Sequence, residues 1–294
     1  MNREVALTAA VVSGGLVAVQ QRINGELGHD LHDPLLAAVV SFGTGLVVMT
    51  VLVLRRRDVL PHVRNVPWWS RIGGLGGATL VAVGATAAPE IGVALLTVGL
   101  VSGTTVAALL VDRAGLGPGG RRPLTPARLA GAALCLFAIA LSAREGLKAA
   151  SPLLLVLVVV AGSLISVQQA LNGKVRAATD AVVATFVNFT VGTTALLVGL
   201  ATKALATGVR ADAWPRQPWL YLGGPLGCVF IAMAAVTVGT LGVLRLGLAS
   251  TAGQLTGGVL LDLDRGVGAL NLVTVALTLV AVAVSGLQRQ PVPA

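Results

Sequence analysis

The chain has 294 residues, 55% of them hydrophobic and only 11% charged, with a formal net charge of +9. That much apolar surface cannot be hidden in one water-soluble core, so the composition excludes an ordinary soluble domain and calls for lipid as solvent. The positive charge does not point to nucleic acid, because the basic residues sit in gaps between apolar runs and form no basic face.

In chain order, Asn2 and Arg3 precede an apolar run from Val5 that imitates a secretory signal; the internal repeat described below argues against cleavage. Leu35 to Leu54, Ile91 to Val111 and Ala181 to Thr202 each run for 20 or more residues without a charge, about the length a helix needs to cross the hydrocarbon layer. Spans are expected at roughly 4–26, 34–54, 71–88, 91–111 and 127–143, then at 152–175, 180–203, 218–238, 241–261 and 267–287. Asp33-Pro34 and Asp180 open the second span of each set as N-caps. Glycines four apart, as in Gly73 to Gly77 and Gly223 to Gly227, let helix backbones approach closely. Trp68, Trp69, Trp214 and Trp219 mark span edges. Cys135 and Cys228 lie inside spans without partners at metal-ligand spacing, so neither a disulfide frame nor a metal site follows, and no cofactor is implied.

The chain repeats itself. Val19-Gln20-Gln21-Arg22-Ile23-Asn24-Gly25 returns as Val167-Gln168-Gln169-Ala170-Leu171-Asn172-Gly173, identical at five of seven positions. Asp33, Ala37, Phe42 and Gly45 match Asp180, Ala184, Phe189 and Gly192; Pro67-Trp68 and Gly73-Gly74 match Pro218-Trp219 and Gly223-Gly224; Asp112 matches Asp262. Blocks preserved in register imply a duplication, with residues 1–148 as the first five-helix repeat and 149–294 as the second. Five spans is an odd number, so the second repeat enters the membrane inverted. The fold class expected is therefore an all-α membrane protein of ten transmembrane helices in two inverted five-helix repeats. Arg55, Arg56, Arg57, Arg64 and Arg71 fill one gap and Arg113, Arg121, Arg122 and Arg128 another, which assigns these loops, and both termini, to the cytoplasm.

The G-x(4-5)-Q-x-x-x-N pattern closing each first span, Ser41-Phe42-x-x-Gly45 with Asn188-Phe189-x-x-Gly192, and Ala252-Gly253-Gln254 followed by Asp262 resemble the YdcZ-type transporters of the drug/metabolite transporter superfamily. The likeness covers both halves and is that of a fused two-repeat form. Thr104 stands where the second half has Gln254, a departure from a symmetric role for that glutamine. The resemblance implies an inner-membrane exporter of a small solute and leaves the cargo undefined.

An unpaired amide in lipid costs roughly 2–7 kcal/mol in transfer terms, so polar side chains inside spans must face other helices or a cavity. Gln20 and Asn24 share one helix face at i, i+4, as do Gln168 and Asn172. Ser41, Phe42, Asn188 and Phe189 lie about two turns into the neighbouring spans. With Gln254 these form the candidate substrate-binding set, and packing of helices by hydrogen bonds is the bland alternative. Glu90 and Arg245 are candidates for coupling or charge contact. No group of histidines and no nucleophile with a base at useful spacing points to an enzyme. The expected function is a secondary transporter exporting a small organic solute by alternating access. A channel or a non-transporting scaffold is the alternative. The partners expected are the solute and the bilayer, and homo-oligomerisation is left open.

Overall fold

A computed structural model describes residues 1–56, 58–143, 151–208, 214–261, 263 and 269–287. Among these residues the regular structure is helical: α1 (Arg3–Asp30), α2 (Pro34–Val53), α3 (Gly74–Ala114), α4 (Pro126–Ala143), α5 (Pro152–Ala178), α6 (Ala181–Thr207), α7 (Gly223–Leu241), α8 (Val243–Leu261) and α9 (Ala269–Ser285). Among the described residues, six helical stretches are long and apolar enough to cross a membrane, and two shorter apolar helices accompany them.

The expected caps are made. Asp33 Oδ1 accepts from the amides of Leu35 and Leu36, both at 3.1 Å, and Asp180 Oδ1 accepts from Val183 at 2.8 Å. Each thereby satisfies amides that an N-terminal turn leaves open. Trp68, Trp214 and Trp219 are exposed near helix starts. Cys135 and Cys228 are buried free thiols.

The two spans read at 71–88 and 91–111 form one helix, α3, in hydrogen-bonding terms. The helix cannot be straight. At 1.5 Å per residue Gly77 and Thr104 would be about 40 Å apart, yet both meet the same stretch of α5. The Gly77 amide donates to Gln168 at 2.6 Å, and the Thr104 carbonyl accepts from Ser166 at 2.7 Å. The chain therefore reverses between two arms, although helical hydrogen bonding continues from one to the other. The second half makes the same reversal openly, at Gly242 between α7 and α8, where φ is +78°. Glycine is suited to that left-handed conformation. A side chain there would also lie 2.6 Å from Arg122 and 2.9 Å from Asp112.

Partners are exchanged between the halves. The most extensive packing of α3 is on α5, that of α1 is on α8 and α7, and α2 lies beside α6. Related glycines make the approach possible: a methyl group on Gly14 would strike the Ser250 carbonyl, and one on Gly162 the Leu100 carbonyl. Helices α2 and α6 run antiparallel, since Asp33 at the start of α2 meets Lys203 near the end of α6, and Arg56 just beyond α2 meets Asp180 at the start of α6. These contacts define an Asp33 end and an Asp180 end of the molecule.

Candidate functional site

Eight of the nine expected substrate-binding residues fall into one polar column between the two ends. The organising elements are the glycine-rich starts of α3 and α7, which leave room for side chains from the opposite half. A methyl group at Gly73 would sit 2.6 Å from Asn172 Oδ1, and one at Gly223 would strike Asn24 Oδ1. One turn further along, a methyl group at Gly77 would sit 3.3 Å from Gln168 Oε1, and one at Gly227 would sit 2.6 Å from Gln20 Nε2. Gly74 abuts Asn188, and Gly223 and Gly224 abut Ser41. The Phe42 and Phe189 rings meet in the middle, with centroids 5.2 Å apart and a tilt of 38°. Phe42 also borders Gly77 and Gly192, while Phe189 borders Gly227 and Gly45. Each contact thus has a counterpart made by the related residues of the other half.

The column runs lengthwise. Asn24, Ser41 and Gly223 occupy its Asp33 end, and Asn172, Asn188 and Gly73 its Asp180 end, with the glutamines and the phenyl rings between. None of the eight side chains is ionisable. Their satisfaction differs. Asn188 Nδ2 donates to Asn172 Oδ1 at 3.1 Å. Gln168 Oε1 accepts from the Gly77 amide, in the first turn of α3. At the other end Asn24 Oδ1 and Ser41 Oγ are buried without a hydrogen-bond partner. An orphaned acceptor and hydroxyl in a low-dielectric region are costly unless a further donor arrives.

Three expected site residues lie elsewhere. Gln254 donates to Gln21 at 2.8 Å on an exposed flank of α1 and α8. Glu90 is exposed near the reversal of α3. Arg245 is buried, and its Nε and Nη2 donate to the Ser285 carbonyl at 3.0 and 2.8 Å, which ties the start of α8 to the end of α9. That position suits a cation, because the last carbonyls of a helix carry partial negative charge. Asp262 and the connection 144–150 lie outside the described residues, as do Arg57, Arg210, Arg265 and Arg289.

Two charged arrangements are not evident from the sequence pattern. Asp112 Oδ1 accepts from Val243 N at 2.8 Å and Oδ2 from Leu244 N at 3.1 Å, so a first-half carboxylate caps α8 of the second half. Arg128 pairs with the same carboxylate, both side chains being almost fully buried. Arg122 donates to the carbonyls of Gly239 and Thr240 at 2.9 and 3.1 Å. Burial pushes the Arg122 guanidinium below its ordinary value, with Asp112 opposing and Arg128 and Arg3 adding to the fall. The second arrangement is the pair of ion contacts at the two ends. Both were carried by the repeat itself, since Arg56 and Lys203 stand 147 residues apart, the same offset as Asp33 and Asp180.

The helices and their contacts are those of an intertwined membrane protein with an uncharged polar column between its halves. The sequence profile of one family matches the chain twice, at residues 5–141 and 153–287. The chain belongs to that family, described as "Putative inner membrane exporter, YdcZ". It is thus a multi-pass inner-membrane protein of an exporter family. One solved crystal structure of a protein is similar over 97% of this chain and 98% of that one, with a TM-score of 0.69 at 20% identity, a likeness that concerns the fold alone. A comparison with curated proteins returned no match.

Proposed function

We propose that the protein is a secondary transporter that exports a small uncharged organic solute by alternating access between two inverted repeats, with ten membrane crossings and the polar column as its route. The observation that supports this most is reciprocity. Gln20, Asn24, Ser41 and Phe42 meet glycines of the second half in the way that Gln168, Asn172, Asn188 and Phe189 meet glycines of the first. Inverted-repeat transporters bind substrate where the repeats meet, and exchange of roles between the repeats turns one face open and then the other. The two arms of α3 count as two crossings in this reading, because they run in opposite directions along α5.

An uncharged solute matches a column of amides, a hydroxyl and two rings that offers no counter-charge. A net charge moved into such surroundings would lose its hydration without compensation. A solute bearing an N–H or O–H group would satisfy Asn24 Oδ1, and Ser41 can donate or accept. Glu90 and Arg245 lie outside the column and have no part in this reading.

The orientation follows from the basic residues. Arg3, Arg55, Arg64, Arg71, Arg121 and Arg176 gather with others at the Asp180 end, whereas Arg22, Lys203 and Arg216 mark the Asp33 end. Excess lysine and arginine stay in the cytoplasm, so the Asp180 end, with both termini, faces inward. Reporter fusions near residues 60 and 120 should read as cytoplasmic and near residues 30 and 147 as external; a cytoplasmic reading near 147 removes the inversion.

Transport itself is tested in proteoliposomes loaded with candidate neutral metabolites. Saturable counterflow is expected, and it should fall in both Gln20→Leu and Gln168→Leu while insertion and folding persist. Non-saturating flux would identify a channel, and unchanged counterflow in both variants would leave these amides as packing elements.

A further inference from the structure

Asp33 and Asp180 do more than cap. In each, Oδ1 receives the helix amides, and Oδ2 is directed at a cation from the end of the neighbouring helix in the other half. Asparagine serves as well as aspartate at an N-cap, so capping alone does not call for the charge. The charge is used across the gap between α2 and α6. Lys203 Nζ donates to Asp33 Oδ2 at 2.7 Å, and Arg56 Nε lies 3.6 Å from Asp180 Oδ2. The four residues exchange under the repeat, Asp33 with Asp180 and Lys203 with Arg56, and the two contacts stand at opposite ends of the same pair of helices.

The two copies are not in the same condition. At the Asp33 end the contact is short and the carboxylate is 3% exposed; at the Asp180 end it is beyond hydrogen-bond reach, with Asp180 29% and Arg56 55% exposed. One end is closed and the other slack. Between them, α2 carries Ser41 and Phe42 and α6 carries Asn188 and Phe189, so parting α2 from α6 at either end would uncover the polar column from that side. Two antiparallel helices that tilt about their central contact, here the Phe42–Phe189 pair, separate at one end as they approach at the other.

We infer that Asp33–Lys203 and Arg56–Asp180 are the two alternating closures of the route, one at each face, and that these four are positioning residues for transport. The inference rests on the alternating-access reading above, and its test is chosen to fail separately from it. A ligand-independent difference in free energy between two states is what sets their populations, so weakening one closure should expose the column from that face alone.

The test reads thiol accessibility in right-side-out and inside-out membrane vesicles with a membrane-impermeant maleimide. Ala78 lies on α3 beside Gly77, packed with Ala38 and Leu196 on the Asp33 side of the ring pair, and Ala78→Cys in a chain lacking both native thiols serves as the reporter for the Asp33 face. Its counterpart for the Asp180 face is Cys228, on α7 beside Gly227 and packed with Met49 and Phe189, its Sγ 3.4 Å from the Gly45 carbonyl, once Cys135 is replaced by alanine. Asp33→Asn keeps the cap and should raise labelling of the Ala78→Cys reporter from the Asp33 face by about two- to fivefold, the scale of losing one partly exposed ion pair. Labelling of Cys228 from the Asp180 face should stay the same or fall. Lys203→Gln, which touches no cap, should reproduce the result, and the double variant should label no faster than either single. Asp180→Asn should give a smaller rise at the other reporter, because that closure is already slack.

Equal rises at both reporters from both faces, as general loosening would give, overturn the inference. So does an unchanged rate at the Ala78→Cys reporter in both Asp33→Asn and Lys203→Gln. Failure of the alternating-access reading has a different signature: with all four charged residues intact, both reporters would react from one and the same face.

Discussion

At the Asp180 end of the polar column the second half ties its own amides together, Asn188 to Asn172 at 3.1 Å. At the Asp33 end Ser41 stands where Asn188 does, and neither it nor Asn24 Oδ1 has a partner. The reason is reach: serine carries its oxygen one bond beyond Cβ, whereas the asparagine nitrogen is two bonds beyond. The ends also differ in their anchoring. The Asp180 end holds the knot of Asp112, Arg128 and the first turn of α8, where three donors meet at one carboxylate. One duplicated design thus yields column amides that bond each other at one end and a column amide and hydroxyl without partners at the other. Duplication conserves the path of the chain, while single side chains decide where a solute has unsatisfied groups to meet.

The largest effect should come from breaking the knot at the Asp180 end. Asp112→Ala removes two amide acceptors and leaves Arg128 buried without its counter-charge, which should cost about 3–5 kcal/mol. Thermal unfolding in detergent should show the loss as a steep fall in Tm, and a Tm within a degree of the parent would mean that the knot contributes nothing net.

Removing the amide pair gives an intermediate effect and compares the ends directly. Asn188→Ala strips Asn172 Oδ1 of its donor and should destabilise by about 1–3 kcal/mol. Ser41→Ala deletes a hydroxyl that has no partner, so its unfolding midpoint should stay within about 0.5 kcal/mol of the parent. Equal falls in the two variants would show that the ends do not differ in satisfaction.

The smallest effect should come from making the ends alike. Ser41→Asn gives the first half the amide that the second half has, and a new bond to Asn24 should add about 0.6 kcal/mol, the average for such contacts between membrane helices. A rise in Tm with a weaker response to added neutral solutes is the expected result. A fall as large as that of Asn188→Ala would mean that the Asp33 end has no room.

Much of this was legible in the sequence because it rests on local pattern. The i, i+4 spacing of Gln20 and Asn24 dictates a shared face whatever lies opposite, and the matching blocks located the partner set in the second half. The N-caps followed from residue type at a span start. The pairing across halves was harder to read. Lys203 and Asp33 are 170 residues apart, and only the antiparallel course of α2 and α6 brings them together. The direction in which Gln254 points depends on how α8 rotates against α1, which an apolar stripe of small residues does not specify. Arg245 was singled out for its charge, yet the Ser285 carbonyl accounts for its burial. The sequence marks the reversal within α3 as a gap between two spans, although hydrogen bonding continues through it.

The crossed pairing has a consequence in time. Synthesis runs from the N-terminus, so both arms of α3 are made before α5, the helix on which they pack most extensively, has left the ribosome. Helix α1 waits longer still, until α7 and α8 are complete. Throughout that interval Gly14, Gly103, Gln20 and Asn24 lack the second-half residues they meet in the finished fold, Ser250, Val159, Gly227 and Gly223. Insertion and assembly are therefore separate stages, and the half-made chain is the form most in need of a membrane chaperone. A ribosome stalled near residue 150 should leave a nascent chain that a membrane protease degrades faster than one stalled after α8.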